Sequence, residues 1–157
     1  MVPELTQIIN AAYAAGEEGL WPPDTPRVFD YEVKQMLDKE ELLFAYRDGE
    51  LAGLVRVHAL DERTAELGLL SAARLDSGVG GELIRLAEDW ARERGLPRMR
   101  LQLLIPRDGT HPFKQRLHSW YSRLGYRAIG AEDVAKALPD IEKTAVPCDL
   151  VTYEKVL

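Results

Sequence analysis

Apolar residues recur at Leu5, Ile8, Ile9, Ala12 and Tyr13, a spacing of three and four that lines one face of a helix over residues 4–15. Two glycines and three prolines within 16–26 break the pattern and predict a loop, after which 31–37 resumes as a second helix. Apolar runs at 42–46 and 51–57 flank Arg47-Asp48-Gly49-Glu50. Asp-Gly suits the tight turn of a β-hairpin, whose two central residues both take positive φ. Residues 64–71 read as a third antiparallel strand. Leu83, Ile84, Ala87, Trp90 and Ala91 form the stripe of a helix over 81–94, stopped by Gly95 and Pro97. A strand over 99–105, a loop over 106–112 and a helix over 113–124 capped by Gly125 follow. The last strands lie near 126–130 and 149–156, separated by about seventeen residues with Pro139, Pro147 and room for one short helix.

The order is helix, helix, three strands, helix, strand, helix, two strands, which predicts an α/β sheet covered on both faces. At 157 residues the chain is expected to form a single domain over 1–157. Its 46% hydrophobic and 29% charged residues are ordinary for a globular protein. Charge interrupts every long apolar run, and no basic, cleavable leader opens the chain, so a soluble cytoplasmic protein without membrane contact is expected. Cys148 is the one cysteine, which excludes an internal disulfide and multi-thiolate zinc sites and predicts a buried, inert thiol. His58, His111 and His118 have no metal-ligand spacing, so no metal site is expected. The net charge of −6 argues against nonspecific nucleic-acid binding and suits a cationic or amine-bearing partner.

Two segments carry chemistry. Residues 69–84 read as an apolar strand end, a glycine-rich turn and the start of an amphipathic helix. Glycines let backbone approach a ligand closely, and the first turn of a helix offers unpaired N–H groups with the positive end of its dipole, so the segment has the form of a phosphate cradle. A nucleotide P-loop would need Gly-Lys-(Ser/Thr), which is absent, and a dinucleotide turn should follow the first strand of a parallel βαβ series, whereas a hairpin precedes this one. The second segment is Trp120-Tyr121-Ser122-Arg123-Leu124-Gly125-Tyr126, a helix ending at a glycine and leading into a strand.

Together the element order and these segments resemble the GCN5-related N-acetyltransferase (GNAT) family over almost the whole chain. Gly78 and Gly80 match the small positions of that family's (Arg/Gln)-x-x-Gly-x-(Gly/Ala) turn, and Tyr121 with Gly125-Tyr126 matches its Tyr-x-x-x-Gly-(Phe/Tyr) pattern. The chain departs from the pattern at Leu75, which stands at the Arg/Gln position with Arg74 one residue away, and at Lys114, where an asparagine is common. It also opens at helix one without the family's usual first strand.

The resemblance implies a mixed sheet, mostly antiparallel with a central parallel pair, and helices on both faces. It implies acetyl-CoA as acyl donor, with pantetheine between the diverging ends of two parallel strands. Backbone groups of Leu69, Leu70 and Ser71 would pair with it, and Asp76, Ser77, Gly78, Val79, Gly80 and Gly81 would hold the pyrophosphate. The acceptor would be a small-molecule or peptide amine attacking directly in a ternary complex. An alkylammonium titrates near about 10.4 and must lose a proton before attack. Glu66 is the candidate base, with Glu17 and Glu18 as alternatives. Glu17, Glu18 and Trp21 lie in the presumed acceptor loop, and Tyr121 is the candidate donor to the leaving thiolate. Homodimers are frequent in the family, though no interface signal is visible in this sequence. The departures at Leu75 and Lys114 motivate a second reading, a noncatalytic acyl-CoA-binding or protein-interaction module on the same fold.

Overall fold

The computed structural model describes residues 1–73, 78–140 and 143–157. Eleven elements are assigned among them: α1 (Val2–Gly16), α2 (Asp30–Asp38), β1 (Leu42–Arg47), β2 (Glu50–Ala59), β3 (Thr64–Ala72), α3 (Val79–Glu93), β4 (Arg98–Pro106), α4 (Pro112–Arg123), β5 (Arg127–Asp133), α5 (Val134–Ala137) and β6 (Cys148–Val156). The strands form one sheet in the order β1-β2-β3-β4-β6-β5, with β3 and β4 parallel and every other pair antiparallel. The hairpin turn is as the sequence predicts, with Asp48 at φ 53° and Gly49 at φ 78°. Between β5 and β6 the predicted short helix is the single turn α5.

Each face of the sheet has its own apolar layer. Leu5, Ile9, Val33 and Met36 of α1 and α2 pack on Leu42, Leu54 and Leu69. On the opposite face Val79, Leu83, Ile84, Ala87 and Ala91 of α3, with Tyr121 of α4, pack on Val55, Val57, Ala65, Leu67, Met99, Leu101 and Leu103. A β-strand alternates faces with period two. Ala65 and Leu67 duly share the α3 face, yet Leu69 belongs to the α1 and α2 layer. The reason is a bulge: Arg56 pairs with Gly68 and Leu54 with Ser71, so β3 spends one residue more than β2. Leu69 takes φ 53° there, a left-handed conformation that costs an ordinary side chain about 1–2 kcal/mol.

The parallel pairing of β3 with β4 is short. It runs from Thr64 against Arg98 to Glu66 against Arg100 and then stops, while β3 continues to Ala72 and β4 to Pro106. The two strands therefore splay toward their C-terminal ends, and the sheet is open there. At the same end α3 approaches β2 closely. A Cβ on Gly53 would lie 2.7 Å from both the Ser71 carbonyl oxygen and Val79 Cγ1, so only glycine lets the helix start where it does. Gly53→Val should lower stability by about 1–3 kcal/mol through this overpacking, read as a fall in the urea midpoint; an unchanged midpoint would mean that α3 has room to move outward.

Candidate active site

Four pieces of the chain meet around the splay. The first is the bulged end of β3. Beyond Glu66 its edge facing β4 has no strand partner among the described residues, and backbone polar groups on such an edge are open to water or a ligand. Leu69 is nearly fully buried, Leu70 is partly buried against the α3 layer, and the buried Ser71 donates its hydroxyl to the Leu69 carbonyl at 2.9 Å. That bond stiffens the bulge.

The second piece is the start of α3. Gly78 occupies the N-cap in a left-handed conformation, φ 74°, and offers no capping side chain. The first amides of the helix, at Val79, Gly80 and Gly81, have no intrahelical acceptor. An anion at this end is favoured by those donors and by the helix dipole. Glu82 would oppose one, but Arg47 neutralises it at 2.6 Å. Arg85 adds a cation, its Nη1 3.8 Å from where a Cβ on Gly81 would stand. Asp76 and Ser77, with Arg74 and Leu75, lie outside the described residues.

The third piece is Tyr121 on α4. It is 4% exposed, in contact with Trp120 (ring centroids 4.9 Å apart) and edge-on to Tyr126 (5.8 Å). Burial, with a smaller effect from the Tyr13 phenol, pushes its own phenol far above the usual range, so it holds its proton at neutral pH. Tyr126 has a different function. Its hydroxyl donates to the buried Glu88 at 2.8 Å, and Lys155 meets the same carboxylate at 3.0 Å, tying the end of α4 to α3 and β6.

The fourth piece is the loop after α1, and here the structure adds what spacing did not reveal. Glu17 is buried, and both its oxygens are engaged: Lys114 Nζ is 2.7 Å from Oε2 and the Trp21 indole N–H donates to Oε1 at 2.9 Å. The candidate acceptor carboxylate is thus the buried half of an ion pair. Glu18 is exposed, and its carbonyl lies 3.0 Å from His111 Nε2. His111 caps α4 by accepting the Lys114 N–H at Nδ1, a role that leaves its proton on Nε2 to donate to Glu18. The Leu20 carbonyl takes the Ala145 N–H at 2.8 Å, and Leu20, Trp21, Leu104, Val134 and Cys148 form a small apolar cluster. The α1–α2 loop, the start of α4 and the segment before β6 are thereby joined. A cavity of about 430 Å³ opens beside them, under α5. The Cys148 thiol is buried, which pushes its pKa up.

Glu66 sits on the last rung before the splay. Its Oε2 accepts from Arg100 Nε at 2.9 Å, while Oε1 is 4.0 Å from His58 Nε2, beyond hydrogen-bond reach. Burial and the neighbouring Arg56 lower the His58 pKa, so this imidazole is neutral at pH 7. Among the described residues no group of three or more His, Cys, Asp and Glu side chains could hold a metal ion, and no helix is long and apolar enough to cross a membrane.

The chain matches the model of the Acetyltransferase (GNAT) family over residues 3–126. No curated protein matches it in sequence. Among solved structures, the ribosomal-protein-alanine N-acetyltransferase of Brucella melitensis superposes with a TM-score of 0.70 at 20% identity, over 99% of this chain and 94% of that one. A GNAT family acetyltransferase of Elizabethkingia anophelis with acetyl-CoA bound gives 0.63 at 18% identity, over 88% and 95%. The aminoglycoside 6'-N-acetyltransferase of Enterococcus faecium gives 0.64 at 18% identity, over 98% and 91%. At these identities the likeness is one of fold.

Removing one partner of the Glu17–Lys114 pair strands a buried charge, which costs about 3–5 kcal/mol. Lys114→Met should therefore lower unfolding free energy by that order in urea titration, and Glu17→Leu combined with Lys114→Met should recover most of the loss. A single variant as stable as the parent would show that the pair is not desolvated in solution.

Proposed function

Because the chain belongs to the acetyltransferase (GNAT) family, we propose that it transfers an acetyl group from acetyl-CoA to a primary amine in a single ternary complex. The observation that carries this reading is the coincidence, at one end of the sheet, of an unpaired parallel strand edge, an uncapped helix start and a buried, protonated tyrosine. The residues present fit an acyl-CoA. Amides of Val79, Gly80 and Gly81 would hold its pyrophosphate, and the β3 edge from Leu69 to Ser71 would pair with the amides of its pantetheine arm. Bound there, the cofactor supplies an activated thioester.

The chain's own groups then handle protons and charge. Backbone N–H groups at the bulge, fixed before reaction, stabilise negative charge on the carbonyl oxygen as the amine nitrogen bonds to the carbonyl carbon. Glu66 takes the proton that the ammonium must lose, directly or through water, at Oε1, the oxygen outside the Arg100 bond. As the carbon–sulfur bond breaks, the protonated Tyr121 hydroxyl supports the departing thiolate by donating a hydrogen bond, and the thiolate takes its proton from solvent. The acceptor approaches from the α1–α2 loop, past Glu18, Trp21 and the buried Glu17. Aminoglycoside and ribosomal-protein acetyltransferases share the fold, which supports a small-molecule or peptide amine as acceptor. The single domain over 1–157 and its cytoplasmic location belong to the same proposal.

One observation favours the noncatalytic module instead: Glu66 and Glu17 are both engaged by cations, and both Glu17 oxygens already have partners within the protein. Turnover decides between the two. With acetyl-CoA and a panel of polyamines, aminoglycosides and peptides, the expected result is release of CoA dependent on one acceptor class. Tyr121→Phe and Glu66→Gln should each lower kcat by about 10²-fold or more while leaving acetyl-CoA affinity near that of the parent. Binding of acetyl-CoA without turnover across the panel would support the module, and full activity of either variant would remove that residue from the mechanism.

A further inference from the structure

Tyr13 entered the sequence reading only as one position of a helical stripe, but the fold gives it a particular place. The start of α3 and Tyr121 lie on one face of the sheet, whereas α1 lies on the other. Elsewhere the strands separate these layers. At the splay the pairing of β3 with β4 has ended, and a ligand anchored at the start of α3 that passed between them would be directed at α1. Several α1 side chains pack on the layer that contains Leu69, and of these Tyr13, one turn before Glu17, takes a backbone hydrogen bond at Leu69.

Its ring is held from the outside. Asn10, one turn earlier, accepts from the backbone N–H groups of Arg27 and Val28 at 2.8 and 2.9 Å and donates to the Val28 carbonyl at 3.0 Å. This triple bond set pins residues 27 and 28 to α1. Arg27 then places its guanidinium 5.2 Å from the centre of the Tyr13 ring, a cation–π contact. The phenol end points inward. Burial raises its pKa, a backbone hydrogen bond at Leu69 acts the other way, and the Tyr121 phenol on the opposite face feels it electrostatically.

Resting on the acyl-CoA reading above, we infer that Tyr13 is the end wall of the acyl slot and restricts the donor to short acyl groups. The ring and its hydroxyl, seated against Leu69, would close the slot just beyond the acetyl group. A longer chain would have to displace a side chain held by Leu69 on one side and Arg27 on the other. Truncation to alanine would leave a channel through the α1 layer in line with the slot.

The experiment is a calorimetric titration of the parent, Tyr13→Ala and Tyr13→Leu proteins with CoA, acetyl-CoA, butanoyl-CoA and octanoyl-CoA, with thermal melts confirming that each is folded. The parent should bind octanoyl-CoA about tenfold or more weaker than acetyl-CoA. In Tyr13→Ala that gap should close to about threefold, with CoA itself bound as in the parent. Tyr13→Leu, which keeps more of the volume, should fall between and serves if the alanine variant does not fold. Equal binding of octanoyl-CoA and acetyl-CoA by the parent, or an undiminished gap in a folded variant, would overturn the assignment of Tyr13 while leaving the donor site standing. Absence of CoA binding by the parent would overturn the donor site and the wall together.

Discussion

Three rungs of parallel pairing hold β3 to β4, and their ending after Glu66 and Arg100 governs the rest of the structure. Strand edges that run on without a partner carry unpaired N–H and C=O groups, each costly to bury and each able to bind a chain of suitable spacing. The surrounding sequence keeps that edge in place. The bulge at Leu69 rotates β3 out of register with its faces, Ser71 fastens the bulge, and Gly53 makes room for α3 to begin beside it. An extended ligand that bears amides in its middle and phosphates at one end meets both requirements of this end of the sheet at once. In the proposed reading it would complete the strand edge and satisfy the helix start.

The acceptor side is built by a different interaction. A buried carboxylate and ammonium 2.7 Å apart seldom add net stability, since each has given up its hydration. Such a pair is demanding about geometry, however, and Glu17 and Lys114 are 97 residues apart in sequence. With Trp21 on the other carboxylate oxygen and His111 on the Glu18 carbonyl, the pair fixes the α1–α2 loop against α4. In the proposed reading the mouth of the slot would be set by these polar contacts, and its wall by packed tyrosines. Lys114, at the position where the sequence departs from the family pattern, is committed to the loop.

The hydrophobic periodicity made every helix and strand legible, with boundaries shifted by a few residues, because amphipathic stripes and the Asp48-Gly49 turn are local signals. The mixed sheet and its parallel pair came through the family resemblance, and the family match over residues 3–126 agrees with it. What spacing alone did not reveal was long-range. Glu17 reads as an acidic loop residue until Lys114 is folded against it, and only the fold shows that the cation beside Glu66 is Arg100 of β4. Tyr13 fits an apolar stripe so well that its hydroxyl attracts no notice in sequence. The positive φ of Leu69 has no sequence mark either, since leucine is not a residue that favours it.

The central claim is that the splayed edge of β3 and the start of α3 together form the acyl-CoA slot. Amide hydrogen exchange with and without acetyl-CoA tests it most directly, because exchange reports protection of individual backbone segments. The account predicts saturable slowing of exchange over residues 69–72 and 78–82, with the β1–β2 hairpin turn unaffected. Saturable binding that leaves both segments unprotected, or protection confined to the cavity under α5, would contradict it.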